Sequence, residues 1–151
     1  MKIKSLLSFL LVLFLFSACV STKSTLKNVD ENALTPKVST ENTFVITEFS
    51  KNPKYGYDQD FPINLYFRNI KEEPKNLERY FNALTGPKGE KIFYKKVATC
   101  CPFPTKKSEM GAGFIDIYEI TWVGQKKPIR LYVNIFEKGI LMVPTGFELK
   151  K

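Results

Sequence analysis

The chain has 151 residues, three cysteines, no histidine and a formal charge of +8. That length allows one small domain and excludes a (β/α)8 barrel, which needs roughly 200 residues or more. The missing histidine excludes Ser-His-Asp and Cys-His catalysis, histidine-bearing zinc sites, and any general base that titrates near neutrality without a strongly shifted pKa.

Residues 1–18 read as a secretory signal. Lys2 and Lys4 precede an apolar run from Leu6 to Phe16 broken only by Ser8. The run is too short to cross a bilayer as a helix, which takes ~20 residues. Ser17 and Ala18 then precede Cys19, the pattern of a bacterial lipoprotein signal. Small residues let the signal peptidase reach the backbone, and the Cys19 thiolate carries a diacylglycerol. Removing the signal leaves 133 residues and, with Lys2 and Lys4 gone, a charge of +6. Two or more acyl chains hold firmly to a membrane, because each buried CH₂ contributes ~0.8 kcal/mol. Val20 rather than Asp follows Cys19, and no acidic run comes early. The expected location is the cell envelope, on the periplasmic face of an outer membrane.

Residues 20–42 are rich in Ser, Thr, Lys and Asn and contain no aromatic residue. That composition predicts a flexible tether after the lipidated cysteine, spanning roughly 25–30 Å on average. Residues 43–151 form the predicted domain, with ten Phe, seven Tyr and one Trp. Strands are expected over 44–49 and 63–67. A helix is expected over about 74–85, since Leu77, Tyr80, Phe81 and Leu84 fall at i, i+3, i+4 and i+7. Pro74 suits its first position and Gly86-Pro87 ends it. Longer strands follow over 91–98, 114–123 and 129–136. In the last, Ile129, Leu131, Val133 and Ile135 share one face while Arg130, Tyr132 and Asn134 share the other. Gly124-Gln125-Lys126-Lys127 joins the last two strands as a hairpin. The fold class is α+β: one helix on a mostly antiparallel sheet of about five strands.

Cys100-Cys101-Pro102-Phe103-Pro104 is the most distinctive local feature. With Cys19 consumed by lipid, these thiols can bond each other, bond another molecule or stay reduced. The structural expectation puts one thiol in the core and the other in a turn stiffened by the prolines. The alternative is a redox-active pair, since adjacent cysteines make a disulfide that is readily reduced. Two thiolates alone do not complete a zinc site, and no metal or cofactor is expected. Asp116 and Glu119 lie three apart on a strand, face opposite sides, and so cannot converge on one substrate. Asp58 and Asp60 read as solvated turn acids. The lysine pairs at 95–96, 106–107, 126–127 and 150–151 are scattered, so no nucleic-acid groove is expected.

Tyr55-Gly56-Tyr57, Glu78-Arg79-Tyr80, Asn82-Ala83-Leu84, Gly86-Pro87-Lys88-Gly89-Glu90, Cys100-Cys101-Pro102-Phe103, Asp116-Ile117-Tyr118-Glu119, Leu131-Tyr132-Val133-Asn134 and Pro144-Thr145-Gly146-Phe147 carry a resemblance. From Tyr55 onward the chain resembles a group of small lipoproteins of flavobacteria and relatives. Members sometimes bear the name 2-dehydro-3-deoxyphosphooctonate aldolase, so the resemblance implies that activity as a remote alternative. Length excludes the barrel of such enzymes, and the lipoprotein signal excludes the cytoplasm. The leading expectation is a non-enzymatic binding module of the envelope, held to the membrane by lipid, with an envelope protein or glycan as partner. Tyr55, Tyr57, Pro102 and Phe103 are its candidate exposed surface.

Overall fold

The structure is a computed structural model and describes residues 23–67 and 75–150. The signal, Cys19 and the expected helix start at Pro74 lie outside the described residues. Seven elements follow in chain order: β1 (Ile63–Asn64), α1 (Asn76–Asn82), β2 (Leu84–Thr85), β3 (Phe93–Pro104), β4 (Ala112–Thr121), β5 (Ile129–Asn134) and β6 (Glu148–Leu149). The main sheet has the order β1-β5-β4-β3, and β2 pairs with β6 in a two-stranded sheet. All pairings are antiparallel except that of β1 with β5. The domain is therefore α+β, as its pattern of elements predicts.

The apolar stripe of α1 explains its packing. Tyr80 and Phe81 are fully buried, and Phe81 stacks on Tyr94 at 4.5 Å and lies 5.4 Å from Tyr118. Tyr118, Ile120, Leu131 and Val133 supply the sheet face of this core, and Phe44, Phe67 and Val143 close it. The helix stops earlier than its stripe suggests. Ala83 donates its N–H to the Tyr80 carbonyl, and Leu84–Thr85 then straighten to pair with Glu148–Leu149. Leu84 stays buried, so the stripe outlives the helix.

The strand expected over 63–67 shortens to Ile63–Asn64, the one expected over 91–98 runs on to Pro104, and two further expectations change more. Residues 44–49 form no strand; they meet the rest through single bridges, Val38 with Phe44 and Phe49 with Val143. The alternation in β5 ends at Val133. Asn134, expected on the outer face, is fully buried, and Ile135, expected inside, is 49% exposed. The Asn134 side chain accepts a bond from the Phe136 amide, which turns the chain out of the sheet at that point. Gly124, at φ +84°, makes the β4–β5 turn in the left-handed region where glycine alone is unstrained.

The described part of the expected tether, residues 23–42, lies along the domain instead of apart from it. The Lys27 amide donates to the Asp60 carbonyl and the Asp30 amide to the Lys138 carbonyl, both at 2.8 Å. Asn28 donates to the Pro62 carbonyl at 2.7 Å and accepts from Asn64, which in turn accepts from Asn134 at 2.8 Å. Further along, Arg79 Nε donates to Asn42 Oδ1 at 2.9 Å. Ala33 is buried. Few apolar side chains are needed here because buried polar groups find partners one by one.

Candidate functional site

Strand β3 runs straight through the cysteine motif. Its register with β4 is regular from Phe93 to Lys96, shifts between Lys96 and Ala98, and shifts again between Cys100 and Phe103. The second irregularity is a bulge formed by Cys101 and Pro102. Cys101 has φ +53°, a conformation that costs an L residue roughly 1–2 kcal/mol. Cys100 and Cys101 are joined as a disulfide, with Cα atoms 3.7 Å apart. Both are half-buried. The expected division into one core thiol and one turn thiol therefore does not hold. The pair sits together at the outer strand of the sheet, with Pro102 exposed beside it.

Gln59 reaches this bulge from the loop after Tyr57. Its amide oxygen lies 3.0 Å from Cys101 Sγ. A disulfide sulfur has no proton to give, so with the amide turned over it is the Nε2–H that points at sulfur. Phe103, next along, is 3% exposed and meets the Phe136 ring edge-on at 6.3 Å. Its ring fits because Gly113 faces it across the ladder. A Cβ on Gly113 would come within 2.7 Å of Phe103 and 2.9 Å of Phe136. Ile115, opposite Cys100, is fully buried. It stands outside the main core, on the other face of the sheet from Tyr118.

Of the two tyrosines expected on the surface, Tyr55 is inside and Tyr57 is half-buried. Tyr55 is 2% exposed, and its hydroxyl accepts from the Met142 amide at 3.2 Å. The Tyr80 hydroxyl donates to the Met142 carbonyl at 2.8 Å, so two phenols clamp one residue. Burial pushes the Tyr55 phenol up to about 12, against the Met142 amide, which lowers it. Burial raises Tyr80 well above its ordinary value, and neighbouring Tyr55 adds to this. Tyr57 is half-buried and donates to the Thr145 carbonyl at 2.6 Å, tying two motifs of the sequence together. Burial raises its pKa as well. Of the four expected surface residues, Tyr55 and Phe103 are therefore inside and Pro102 is exposed. Gly and Asp neighbours suggested a surface loop around Tyr55, but the ring fills the sheet end.

The acidic residues separate as their parity requires. Asp116 accepts from Lys96 at 2.7 Å and from the Thr99 hydroxyl at 2.8 Å, while Glu119 pairs with Lys95 at 3.1 Å on the opposite face. A cleft of about 430 Å³ joins Asp116 to Leu65, Tyr66, Asn76, Leu77 and Tyr118, but it unites Asp116 with neither Glu119 nor the cysteines. Asp58 makes turn contacts, accepting from the Asp60 amide and pairing with Lys54 at 3.6 Å. Among the described residues no group of three or more Cys, Asp or Glu could hold a metal ion, and no helix is long and apolar enough to cross a membrane.

A second cleft, of about 650 Å³, escaped the sequence reading. Lys23, Ser24, Leu26, Val29 and Glu31 line it together with Lys106, Lys107 and Glu137. Lys107 is its pivot. It pairs with Glu31 at 2.7 Å and with Glu137 at 3.2 Å, and its ammonium sits 4.9 Å from the Tyr66 ring centre. Burial pulls the Lys107 pKa down, but the bonds to Glu31 and Glu137 outweigh it and leave the pKa raised. No periodicity marks these residues, which come from three separate stretches of chain. The one available signal was Glu137, a lone acid just past an apolar strand.

No protein-family model, curated protein or solved structure matches this chain.

Proposed function

We propose that the chain works in the bacterial cell envelope as a lipid-anchored binding module, attached through Cys19, on the periplasmic face of an outer membrane. The observation that carries this reading is the half-buried Cys100–Cys101 disulfide in the β3 bulge, beside the exposed Pro102. A disulfide persists in oxidising compartments outside the cytoplasm, which fits the signal and the cysteine that follows it. The same disulfide, followed by Pro102 and Pro104, holds this stretch of backbone in one shape. Little ordering is then left to lose when a partner docks, which favours recognition. The partner is an envelope protein or glycan meeting Pro102 and the disulfide.

Three measurements test this. A fatty acid label should enter the wild-type chain and not Cys19→Ser, and the wild-type chain should stay with membranes in a salt wash. Photo-cross-linking from position 102 in intact cells should give one discrete adduct. An unlabelled chain removes the anchor, and a diffuse smear or no adduct removes the binding surface.

A second reading is favoured by the partial exposure of the same pair. A dithiol reductant would take the place of the Cys100–Cys101 bond, leaving two thiols on the chain and a disulfide on the reductant. Thiols that alkylate rapidly after mild reduction, with reoxidation restoring the starting mass, would support it. Aldolase activity, implied by the resemblance alone, would need turnover of phosphorylated 3-deoxy-octulosonate. The α+β domain offers no barrel for it.

A further inference from the structure

We propose that the cleft between α1 and the main sheet binds a small neutral molecule, an apolar ring bearing one hydroxyl, through the Tyr118 hydroxyl and Asp116. This site is separate from Pro102 and the disulfide. Asp116 and Tyr118 share the sheet face on which Phe81 packs, while Cys100 stands opposite Ile115 on the other.

One buried phenol in this domain holds nothing. Tyr118 is 9% exposed, and its ring lies against Phe81 and Tyr94. Tyr55 and Tyr80 direct their hydroxyls to Met142, and Tyr57 directs its own to Thr145. Among the described residues the Tyr118 hydroxyl has no hydrogen-bond partner, although a buried phenol ordinarily finds one. Nor is it sealed off, since the described side-chain polar atoms both buried and without a partner are Thr85 Oγ1 and Gln125 Nε2. The hydroxyl therefore meets open space, and the space that Tyr118 lines is the cleft of about 430 Å³.

Asp116 supplies the complementary group. Its Oδ1 takes the Lys96 ammonium at 2.7 Å and the Thr99 hydroxyl at 2.8 Å, and its Oδ2 takes no bond among the described residues. Burial raises the Tyr118 pKa, and the Asp116 charge adds to the rise. The phenol keeps its proton and can donate it, whereas the carboxylate can only accept. A ligand hydroxyl satisfies both, accepting from Tyr118 and donating to Asp116.

Charge decides against an ion. Lys96 already neutralises Asp116, so a ligand cation gains little, and a ligand anion would face the carboxylate. Lys107, beside Tyr66, is held by Glu31 and Glu137 and so is no anchor for an anion. The Asn76 amide is engaged by the Leu65 carbonyl and the Arg79 guanidinium. What remains for a ligand is apolar contact with Leu65, Tyr66, Leu77 and Ile135, the last 49% exposed. A cleft of this size, mostly apolar with two convergent polar groups, has the make-up of a small-molecule site.

The test titrates 2-naphthol, as the probe, into the full chain and follows the methyl NMR signals of Leu77 and Ile135. Parent and variants share one detergent, so partition of the probe into micelles cancels from their ratios. The expected result is a saturable shift of both signals. Tyr118→Phe should weaken 2-naphthol about fivefold, the loss of one hydrogen bond. It should leave the melting temperature unchanged, because the hydroxyl holds no partner in the chain. It should also leave unchanged the binding of 2-methylnaphthalene, which has the rings without the hydroxyl. Ile135→Trp should fill the cleft and abolish the Leu77 shift. Signals that do not move or do not saturate in the parent overturn the proposal. So does a Tyr118→Phe or Ile135→Trp chain that binds 2-naphthol as the parent does. Equal binding of 2-naphthoate, which puts an anion on the same rings, overturns the neutral class.

Discussion

Two regions of this domain bury their residues by different physics. Beneath α1, Tyr80, Phe81, Tyr118, Leu131 and Val133 exclude water with apolar area, and rings meet rings. Where residues 23–42 lie on the domain, burial runs through Asn28, Asn64, Asn134, Asn76 and Arg79, each holding a specific partner. Apolar packing tolerates adjustment, since a neighbouring side chain can shift into a small gap. An amide chain does not, since one missing partner strands a donor or acceptor in a site that water does not reach. The first region therefore carries global stability, and the second decides whether a segment of chain stays attached.

The largest expected effect comes from the apolar region. Phe81→Ala should cost about 3–5 kcal/mol, because it empties a site enclosed by Tyr80, Tyr94 and Tyr118. A denaturant midpoint shift with an unchanged slope would check it. Asn64→Ala should cost about 2–4 kcal/mol by leaving Asn134 Nδ2 and the Asn28 carbonyl without partners. Here hydrogen exchange is the sharper measurement. The Lys27 and Asp30 amides should lose protection well before those of β4, and equal loss would erase the distinction between the regions.

Alkaline pH tests the tyrosine clamp. Burial pushes the Tyr55 phenol up to about 12 in the folded chain, from an ordinary value of 10.0 that the unfolded chain keeps. Its contribution is complete below pH 10 and is lost as pH rises towards 12, because the unfolded state sheds its proton first. That loss is about 2–3 kcal/mol. Tyr55→Phe should flatten this part of a stability–pH curve, and an unchanged alkaline limb would show that the phenol does not report on folding.

The cysteine bulge should give the smaller effects. Gly113→Ala should cost about 1–3 kcal/mol by forcing Phe103 and Phe136 apart. Cys100→Ala with Cys101→Gly should change stability by about 1 kcal/mol or less, since glycine relieves the positive φ while adding freedom to the unfolded chain. Thermal unfolding of both variants would order them, and a collapse of the double variant would make the disulfide a pillar of the fold.

How far the sequence could be read follows from the same contrast. Wherever periodicity reflects one buried face, it holds: the stripe of Leu77, Tyr80, Phe81 and Leu84, the alternation of Ile129, Leu131 and Val133, and the opposed faces of Asp116 and Glu119 were all legible. Reading failed where burial depends on pairing across the chain. Asn134 looked like an outward polar residue because its partners, Asn64 and Asn28, lie at distant positions that no local pattern joins. Residues 23–42 looked like a tether for the same reason, since composition counts apolar area and not hydrogen bonds. Tyr55 and Phe103 looked exposed because turn residues surround them. Two adjacent cysteines were visible, but a disulfide placed in a bulge, with Gln59 against it, needed the β3–β4 register.

The breaks in β3 also bear on how copies of the chain tolerate each other. This strand ends the main sheet, and among the described residues no strand lies beyond it. A straight twelve-residue edge would invite a second copy to add its own strand, and a third to follow, which is the route to fibrillar aggregates. The irregularities near Val97 and at Cys101 and Pro102 leave regular runs of at most four residues, and in the longest, Phe93 to Lys96, two of the four are lysines. Chains crowded side by side at high local concentration would therefore repel before they could zip together. The bulge that presents the disulfide is thus also a safeguard of solubility.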